Sequence, residues 1–88
     1  MKYYFLRRII KDHTVSYLQL RLYLLLKLMM ECPIRISNSR LAKILNVPSF
    51  QIKRALKKLS EKGYIINHPL WYEVGKNHLR RTNRIVVL

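Results

Sequence analysis

The segment from Ser37 to Ile65, SNSRLAKILNVPSFQIKRALKKLSEKGYI, constrains the fold of this chain more than any other stretch. Three candidate N-caps, Ser37, Asn38 and Ser39, predict a helix from about residue 39 to residue 45. Asn46 then tolerates the left-handed backbone that a sharp helix-ending turn demands. The apolar positions of this first helix are Leu41, Ala42, Ile44 and Leu45. The segment therefore predicts two short helices joined by a tight turn.

The second of these helices has separate apolar and basic faces. Ser49 is its candidate cap after Pro48, and the helix runs to about Lys62, where Gly63 stops it. One face of the helical wheel carries only apolar residues, Ile52, Ala55, Leu56 and Leu59. The opposite face and its flanks carry Phe50, Arg54, Lys57 and Glu61, with Gln51, Lys53 and Lys58 beside them. This pattern predicts a helix that packs on a core and presents positive charge to a partner.

A longer helix precedes this segment. Asp12 and Thr14 are its candidate caps, and it runs to about Glu31, where Cys32-Pro33 ends it. One face carries the core stripe Val15, Leu18, Leu22, Leu25 and Met29, and another carries a second apolar stripe, Tyr17, Leu20, Leu24 and Leu28. Either residues 3 to 10 fold back over the second stripe, or a second copy of the chain covers it as a dimer seam. The periodicity does not choose between them.

Short strands surround the helix pair. Ile34-Arg35-Ile36 alternates as a brief strand, and residues 64–67 and 84–88 read as two more strands. Gly75-Lys76-Asn77 supplies the turn of a long hairpin between them, and the arms of this hairpin hold Trp71, Tyr72, Arg80 and Arg81. The predicted class is mainly α with a small β-hairpin (α+β), in a single domain over residues 1–88. Residues 1–13 receive no structural assignment.

The charge balance indicates the partner. Among 88 residues, 18 are Lys or Arg and only four are Asp or Glu, which gives a formal net charge of +14. Such an excess strains the compact state by self-repulsion, and it favours a polyanion such as nucleic acid.

Several other classes of function have little support in the sequence. Cys32 is the only cysteine, so no intrachain disulfide can form, and a reduced, cytoplasmic setting is expected. The histidines lack metal-ligand spacing, the acids are scattered, and there is no glycine-rich phosphate loop. We therefore expect a protein that is not an enzyme and has no cofactor, metal or small-molecule ligand. The apolar run from Val15 to Met30 is interrupted by polar residues and is too short for a membrane span.

The motif LAKILNVPSFQIKRALKKLSEKGYI resembles the winged helix-turn-helix family, as found in MarR-like, GntR-like and LexA-type regulators. The resemblance covers about residues 14 to 88 and implies the order helix, strand, helix, helix, strand, wing, strand. Ala42 stands where the first motif helix needs a small residue. Two positions depart from the family pattern: Asn46 replaces a frequent glycine, and Pro48 replaces a frequent capping Ser or Thr.

The resemblance implies that the second motif helix lies in the major groove of DNA and that the wing contacts the neighbouring minor groove or backbone. Carried over, Arg54 and Gln51 are the candidates for base readout. Phe50 either contacts a thymine methyl or packs against the turn, and packing is the favoured interpretation. Ser49 is a further residue that could face DNA. The candidates for contacts to the DNA backbone are Ser39, Arg40, Lys53, Lys57, Lys58, Lys76, Arg80 and Arg81.

The expected function is sequence-specific binding of double-stranded DNA as a transcriptional regulator. Small size and a Lys/Ile/Tyr/Asn-rich composition favour a phage, virus or plasmid as its host. Three alternatives stay open: the DNA-binding domain of a replication initiator, a winged-helix adaptor that docks an acidic protein, and an RNA-binding protein that stacks bases on its aromatic residues.

Overall fold

The computed structural model describes residues 4–73, 75 and 79–88. Four helices and three strands follow one another as α1 (Tyr4–Lys11), α2 (Tyr17–Leu28), β1 (Ile34–Ile36), α3 (Asn38–Leu45), α4 (Ser49–Glu61), β2 (Ile65–Glu73) and β3 (Leu79–Val87). The predicted α+β class is confirmed. From α2 onward the elements occur in the predicted order, and α1 occupies the segment that the sequence left unassigned.

The three strands form one antiparallel sheet in the order β1-β3-β2. Ile34 pairs with Ile85 across β1 and β3, and Ile65 pairs with Val87 across β2 and β3. Strand β2 reaches Glu73 and strand β3 begins at Leu79, so both strands continue beyond residues 64–67 and 84–88 into the hairpin. The predicted hairpin arms, which hold Trp71, Tyr72, Arg80 and Arg81, are thus part of the two strands.

The core lies between one face of the sheet and the helices. Helix α4 contributes the four apolar residues that the sequence placed on its inner face, Ile52, Ala55, Leu56 and Leu59, and all are buried. Helix α3 buries Leu41, Ala42 and Leu45, whereas its Ile44, also predicted as an apolar position, remains 49% exposed. Ile9 of α1 is buried in the same core, with Phe5 and Leu6 packed beside it. Helix α4 packs against α2, α3 and β2 and therefore has a fixed orientation.

Helix α2 begins later and ends earlier than predicted. Its N-cap is Ser16, whose hydroxyl accepts a hydrogen bond from the Gln19 amide at 3.2 Å, while the Gln19 side chain accepts one from the Ser16 amide at 3.2 Å. This reciprocal capping box satisfies two free donors and outcompetes Asp12 and Thr14, so the prediction of those two caps is wrong. The helix ends at Leu28, before Cys32-Pro33, because Met30 takes a left-handed backbone with φ 53°.

The core face of α2 is rotated from the predicted stripe. Leu22, Tyr23 and Leu26 are its buried residues, whereas Leu18, Leu25 and Met29 are only partly buried against the core. The Tyr23 ring packs edge-on against Tyr64, and its hydroxyl donates to the Leu88 carbonyl at 2.8 Å. The buried face of α2 therefore includes an aromatic side chain, Tyr23, which the predicted aliphatic stripe did not contain.

The second apolar stripe of α2 stays largely open to solvent. Tyr17 is 77% exposed, Leu24 37% and Leu28 78%, and Leu20 is partly buried. Helix α1 does not cover these side chains, so the prediction that residues 3 to 10 fold over this stripe is wrong. The alternative, a dimer seam, stays a prediction.

Asp12 belongs to a polar cluster that ties the α1–α2 turn to the start of β2. Its carboxylate accepts hydrogen bonds from the Thr14 hydroxyl at 2.6 Å, the Thr14 amide at 2.9 Å and the Tyr64 hydroxyl at 2.7 Å. Thr14 also accepts a hydrogen bond from the Lys62 ammonium group. These bonds, that from the Thr14 side chain first, hold the pKa of Asp12 well below its usual range.

This cluster makes the stability of the fold depend on acid. Because the folded state keeps Asp12 ionised while the unfolded chain binds a proton near pH 4, stability is present at neutral pH and falls below about pH 4. Asp12→Asn is expected to lower the melting temperature at neutral pH and to flatten its decline in acid. Thermal unfolding from about pH 7 to about pH 2 measures this effect, with Glu31→Gln as an exposed acidic control. Parallel declines for wild type and Asp12→Asn would contradict the assignment.

Candidate nucleic-acid interface

The turn between α3 and α4 has the geometry that the sequence predicts. Asn46 is left-handed, with φ 56° and ψ 51°, and the Val47 amide donates to the Ala42 carbonyl at 3.0 Å. Ser37 is the N-cap of α3, and its hydroxyl accepts from the Arg40 amide at 3.2 Å. The Arg40 N–H is therefore taken by the helix cap and is not available to a phosphate. The exposed side chains of Arg40 and Ser39 are what α3 offers to a partner.

Helix α4 begins without a side-chain cap. Pro48 is its N-cap, with an extended backbone (φ −63°, ψ 147°), and Ser49 is already helical, so the prediction of Ser49 as the cap is wrong. Proline fixes the φ that this position needs and supplies no side-chain acceptor. The first N–H groups of a helix have no acceptor inside it. An external anion can therefore take the place of the missing cap.

Arg81 of β3 stands beside both helix starts. A shallow pocket next to the first turn of α4 is lined by Ser39, Ser49, Arg81 and the residues around the α3 cap. Three residues predicted to contact DNA, Ser39 of α3, Ser49 of α4 and Arg81 of β3, therefore line one pocket. Positive charge and two hydroxyl groups meet at the uncapped helix end.

A groove runs between the hairpin and one flank of α4. Lys53 and Lys57 line its helical side, and Arg81 and Pro69 line its hairpin side. Both lysines are exposed. Glu61 also lines the groove, and it forms an ion pair with Lys58. The two lysines and Arg81 therefore place positive charge on both the helical and the hairpin side of the groove.

The opposite flank of α4 faces the start of α2. Phe50, Gln51, Arg54 and Lys58 lie there with Ser16 and Gln19. Gln51 is half-buried, whereas Arg54 and Lys58 are exposed. Phe50 is 59% exposed, so most of its ring is available to a partner and little of it packs against the turn.

The wing candidates separate onto two faces of the hairpin. Arg81 pairs with Trp71 and Arg80 with Tyr72, and successive residues of a strand point to opposite faces. Arg81 shares the face that continues from the buried Ile85 and Asn83 toward α4, and Arg80 lies on the other face. Lys76 lies outside the described residues, so its predicted role stays a prediction.

Asn83 is a structural residue of this region that sequence reasoning missed. It is 2% exposed, and its amide donates to the Ile36 carbonyl at 2.9 Å and to the Asn38 side chain at 2.7 Å. Its carbonyl oxygen accepts from the Asn67 amide at 3.2 Å. The network joins both hairpin arms to the start of α3. The signal was its position two residues before Ile85, which puts a polar side chain on the inward face of β3.

The cations of the interface have almost no internal partners. Within residues 4–73, 75 and 79–88, the one ion pair joins Lys58 to Glu61 at 3.7 Å, and both side chains are exposed. Lys53, Arg54 and Lys57 thus keep their full charge toward solvent. In that same part of the chain no group of three or more His, Cys, Asp or Glu residues could hold a metal ion.

None of the helices built from the described residues has the length and apolar character needed to cross a membrane. Comparison with models of protein families, with curated proteins and with solved structures gives no match.

Proposed function

We propose that this chain is a winged helix-turn-helix protein that binds double-stranded DNA with sequence specificity and regulates transcription. The observation that carries the proposal is the exposed basic face of α4, which has Arg81 of the hairpin on one side and the uncapped helix start at one end. In this proposal α3 and α4 form the helix-turn-helix, α4 enters the major groove, and the β2–β3 hairpin is the wing.

Phosphate contacts supply the affinity. Lys53 and Lys57 with Arg81 span helix and hairpin, and a DNA backbone strand lying along their groove meets positive charge on both sides. A second phosphate fits the uncapped start of α4, where the free backbone N–H groups and the Ser49 hydroxyl donate to it. These contacts fix orientation and register without reading bases.

Base readout is the role of the exposed residues on the other flank of α4, which faces the start of α2. Arg54 is exposed beside Phe50, and its planar guanidinium can donate two hydrogen bonds to one guanine edge. Phe50 offers an apolar contact to a thymine methyl group. Gln51 reaches bases only from the half-buried flank of the helix, so Arg54 is the stronger candidate.

Two single substitutions in α4 test this division of labour. Arg54→Ala is expected to relax preference at one base pair, with a loss of about 1–3 kcal/mol of discrimination, because a bidentate contact disappears. Lys57→Ala is expected to weaken all duplexes alike, because it removes only a phosphate contact. Titration of each variant against a cognate duplex and its single-base variants gives both numbers. Equal weakening of all duplexes by both variants would refute the division.

We also propose that the protein binds DNA as a homodimer through the exposed stripe of α2. Tyr17, Leu24 and Leu28 leave an apolar surface on one helix of an otherwise highly charged chain. A second copy of α2 would bury this stripe and present two α4 helices to successive half-sites. Sedimentation at several concentrations is expected to show a wild-type dimer and a Leu24→Glu monomer. A wild-type monomer at all concentrations would remove the proposal.

A further inference from the structure

A row of three basic side chains crosses the whole sheet. Arg35 of β1 pairs with Arg84 of β3, and Arg84 in turn pairs with His68 of β2. Neighbouring strands lie about 4.8 Å apart, so the three positions occupy a line of about 10 Å. We call this set, Arg35, Arg84 and His68, the sheet row.

The sheet row lies on the face of the sheet that points away from the core. Ile34 and Ile36 on either side of Arg35 are buried, as are Asn83 and Ile85 on either side of Arg84. Because side chains alternate along a strand, the row takes the opposite face. Arg35 and His68 are exposed, and Arg84 is half-buried. Arg80 continues the same face toward the end of the hairpin.

Repulsion between the two arginines of the sheet row destabilises the fold, and no carboxylate beside them offsets it in the described residues. Like charges placed directly opposite each other on adjacent strands are destabilising, and Arg35 faces Arg84 in that way. In the portion of the chain that the structure covers, no carboxylate forms an ion pair with either arginine. Local conflicts of this kind are expected mainly at functional sites, and two guanidinium groups on the outer face of the sheet are suited to bind an anion.

We propose that the sheet row binds the phosphate backbone of a second DNA duplex, so that one protein bridges two duplexes. The inference rests on the proposed function, because α4 must hold the first duplex. Helix α4 packs on the inner face of the sheet, so the row and the basic face of α4 point in different directions. Arginine binds phosphate through paired hydrogen bonds. The row adds to a chain with a formal net charge of +14, and this excess of positive charge favours a polyanion over a protein partner.

A capture experiment tests the bridge. One short duplex is immobilised, the protein is bound to it, and the retention of a second, labelled duplex is measured. Arg35→Thr/Arg84→Thr is expected to reduce capture about thirtyfold at about 0.15 M salt, because two phosphate contacts are lost. Its affinity for a single duplex at low protein concentration is expected to stay within about threefold of wild type. Its melting temperature is expected to be no lower, because the cross-strand repulsion is removed.

Three controls give each outcome a meaning. Arg7→Ala/Lys11→Ala removes the same charge from exposed positions of α1 and is expected to capture like wild type. Leu24→Glu, compared at an equal amount of protein bound to the immobilised duplex, is also expected to capture. If the bound variant captures no second duplex, bridging belongs to a dimer and the inference about the row is overturned. Lys53→Ala/Lys57→Ala must lose single-duplex affinity. If it does not, the proposed function fails, whatever the row variant shows.

Two results with the row variant itself would overturn the inference. Undiminished capture would show that the row binds no second duplex. An equal loss of capture and of single-duplex affinity would place the row on the first duplex. Should the double variant melt early, Arg35→Gln alone is expected to reduce capture about fivefold, and an unchanged capture would again contradict the proposal.

Discussion

Raising monovalent salt from about 50 mM to about 200 mM is expected to weaken duplex binding about 500-fold. Each phosphate contact releases condensed counterions and contributes about −0.9 to the log–log slope of affinity against salt. Five exposed cations are the described phosphate candidates that share the α3–α4 side of the molecule, namely Arg40, Lys53, Lys57, Lys58 and Arg81. Five contacts give a slope of about −4.5. A fourfold rise in salt therefore lowers the affinity by a factor of about 4 to the power 4.5, which is about 500.

Single substitutions should change this slope in steps. Lys57→Ala is expected to reduce its magnitude by about 0.9, and the pair Lys53→Ala/Lys57→Ala by about 1.8. Arg7→Ala/Lys11→Ala changes the net charge as much as the pair does and is expected to leave the slope unchanged. Fluorescence anisotropy of a labelled duplex at several salt concentrations supplies the values. An affinity that hardly changes with salt, or a stronger preference for single-stranded DNA, would contradict the proposal that α4 binds a duplex.

Ile52→Ala is expected to remove about 2–5 kcal/mol from the free energy of unfolding. Ile52 is 0% exposed on the inner face of α4, in the core that joins this helix to the rest of the fold. Truncation loses the burial of three carbon atoms and leaves a cavity that the surrounding residues fill only in part. Since a small domain has only about 5–15 kcal/mol of stability, this loss is large, and DNA binding should weaken with it.

Ile44→Ala is the matched control for this prediction. It removes the same atoms from a neighbouring helix, but at a side chain that is 49% exposed. Its cost is expected to be below about 1 kcal/mol, because little apolar area returns to water and alanine favours the helix. Urea unfolding of both variants gives the comparison. Equal losses would mean that the α4 core face is wrongly assigned.

The α3–α4 region could be predicted because its signals are local. The cap of α3, the left-handed Asn46 and the apolar spacing of α4 all act within a few residues of one another. The structure confirms Asn46 and the apolar spacing, and it selects Ser37 from the three candidate caps. The exposure of the basic face follows from the same spacing, because a helix that buries Ile52 and Leu59 must turn Arg54 and Lys57 outward.

Other features depend on contacts that no local pattern contains. Asp12 resembles a helix cap, but its partner Tyr64 lies 52 residues away in sequence. The role of Arg81 beside both helix starts, and its separation from Arg80, follow from the register of the hairpin. The sheet row depends on that register as well, since Arg35 and Arg84 meet only after β1 pairs with β3. These features could not be predicted because they depend on contacts between residues far apart in the sequence, and not because the local helix or strand propensities are weak.

Selection of bound sequences from a random duplex pool, carried out in parallel with wild type and Arg54→Ala, tests the central claim most directly. The account predicts that wild type enriches one motif, and that Arg54→Ala enriches the same motif with preference lost at a single base pair, a guanine in the wild-type motif. Two inverted copies of the motif about one helical turn apart would accompany a dimer. If the wild-type pool shows no enrichment over the input, or if Arg54→Ala leaves the motif unchanged, α4 does not read DNA as proposed.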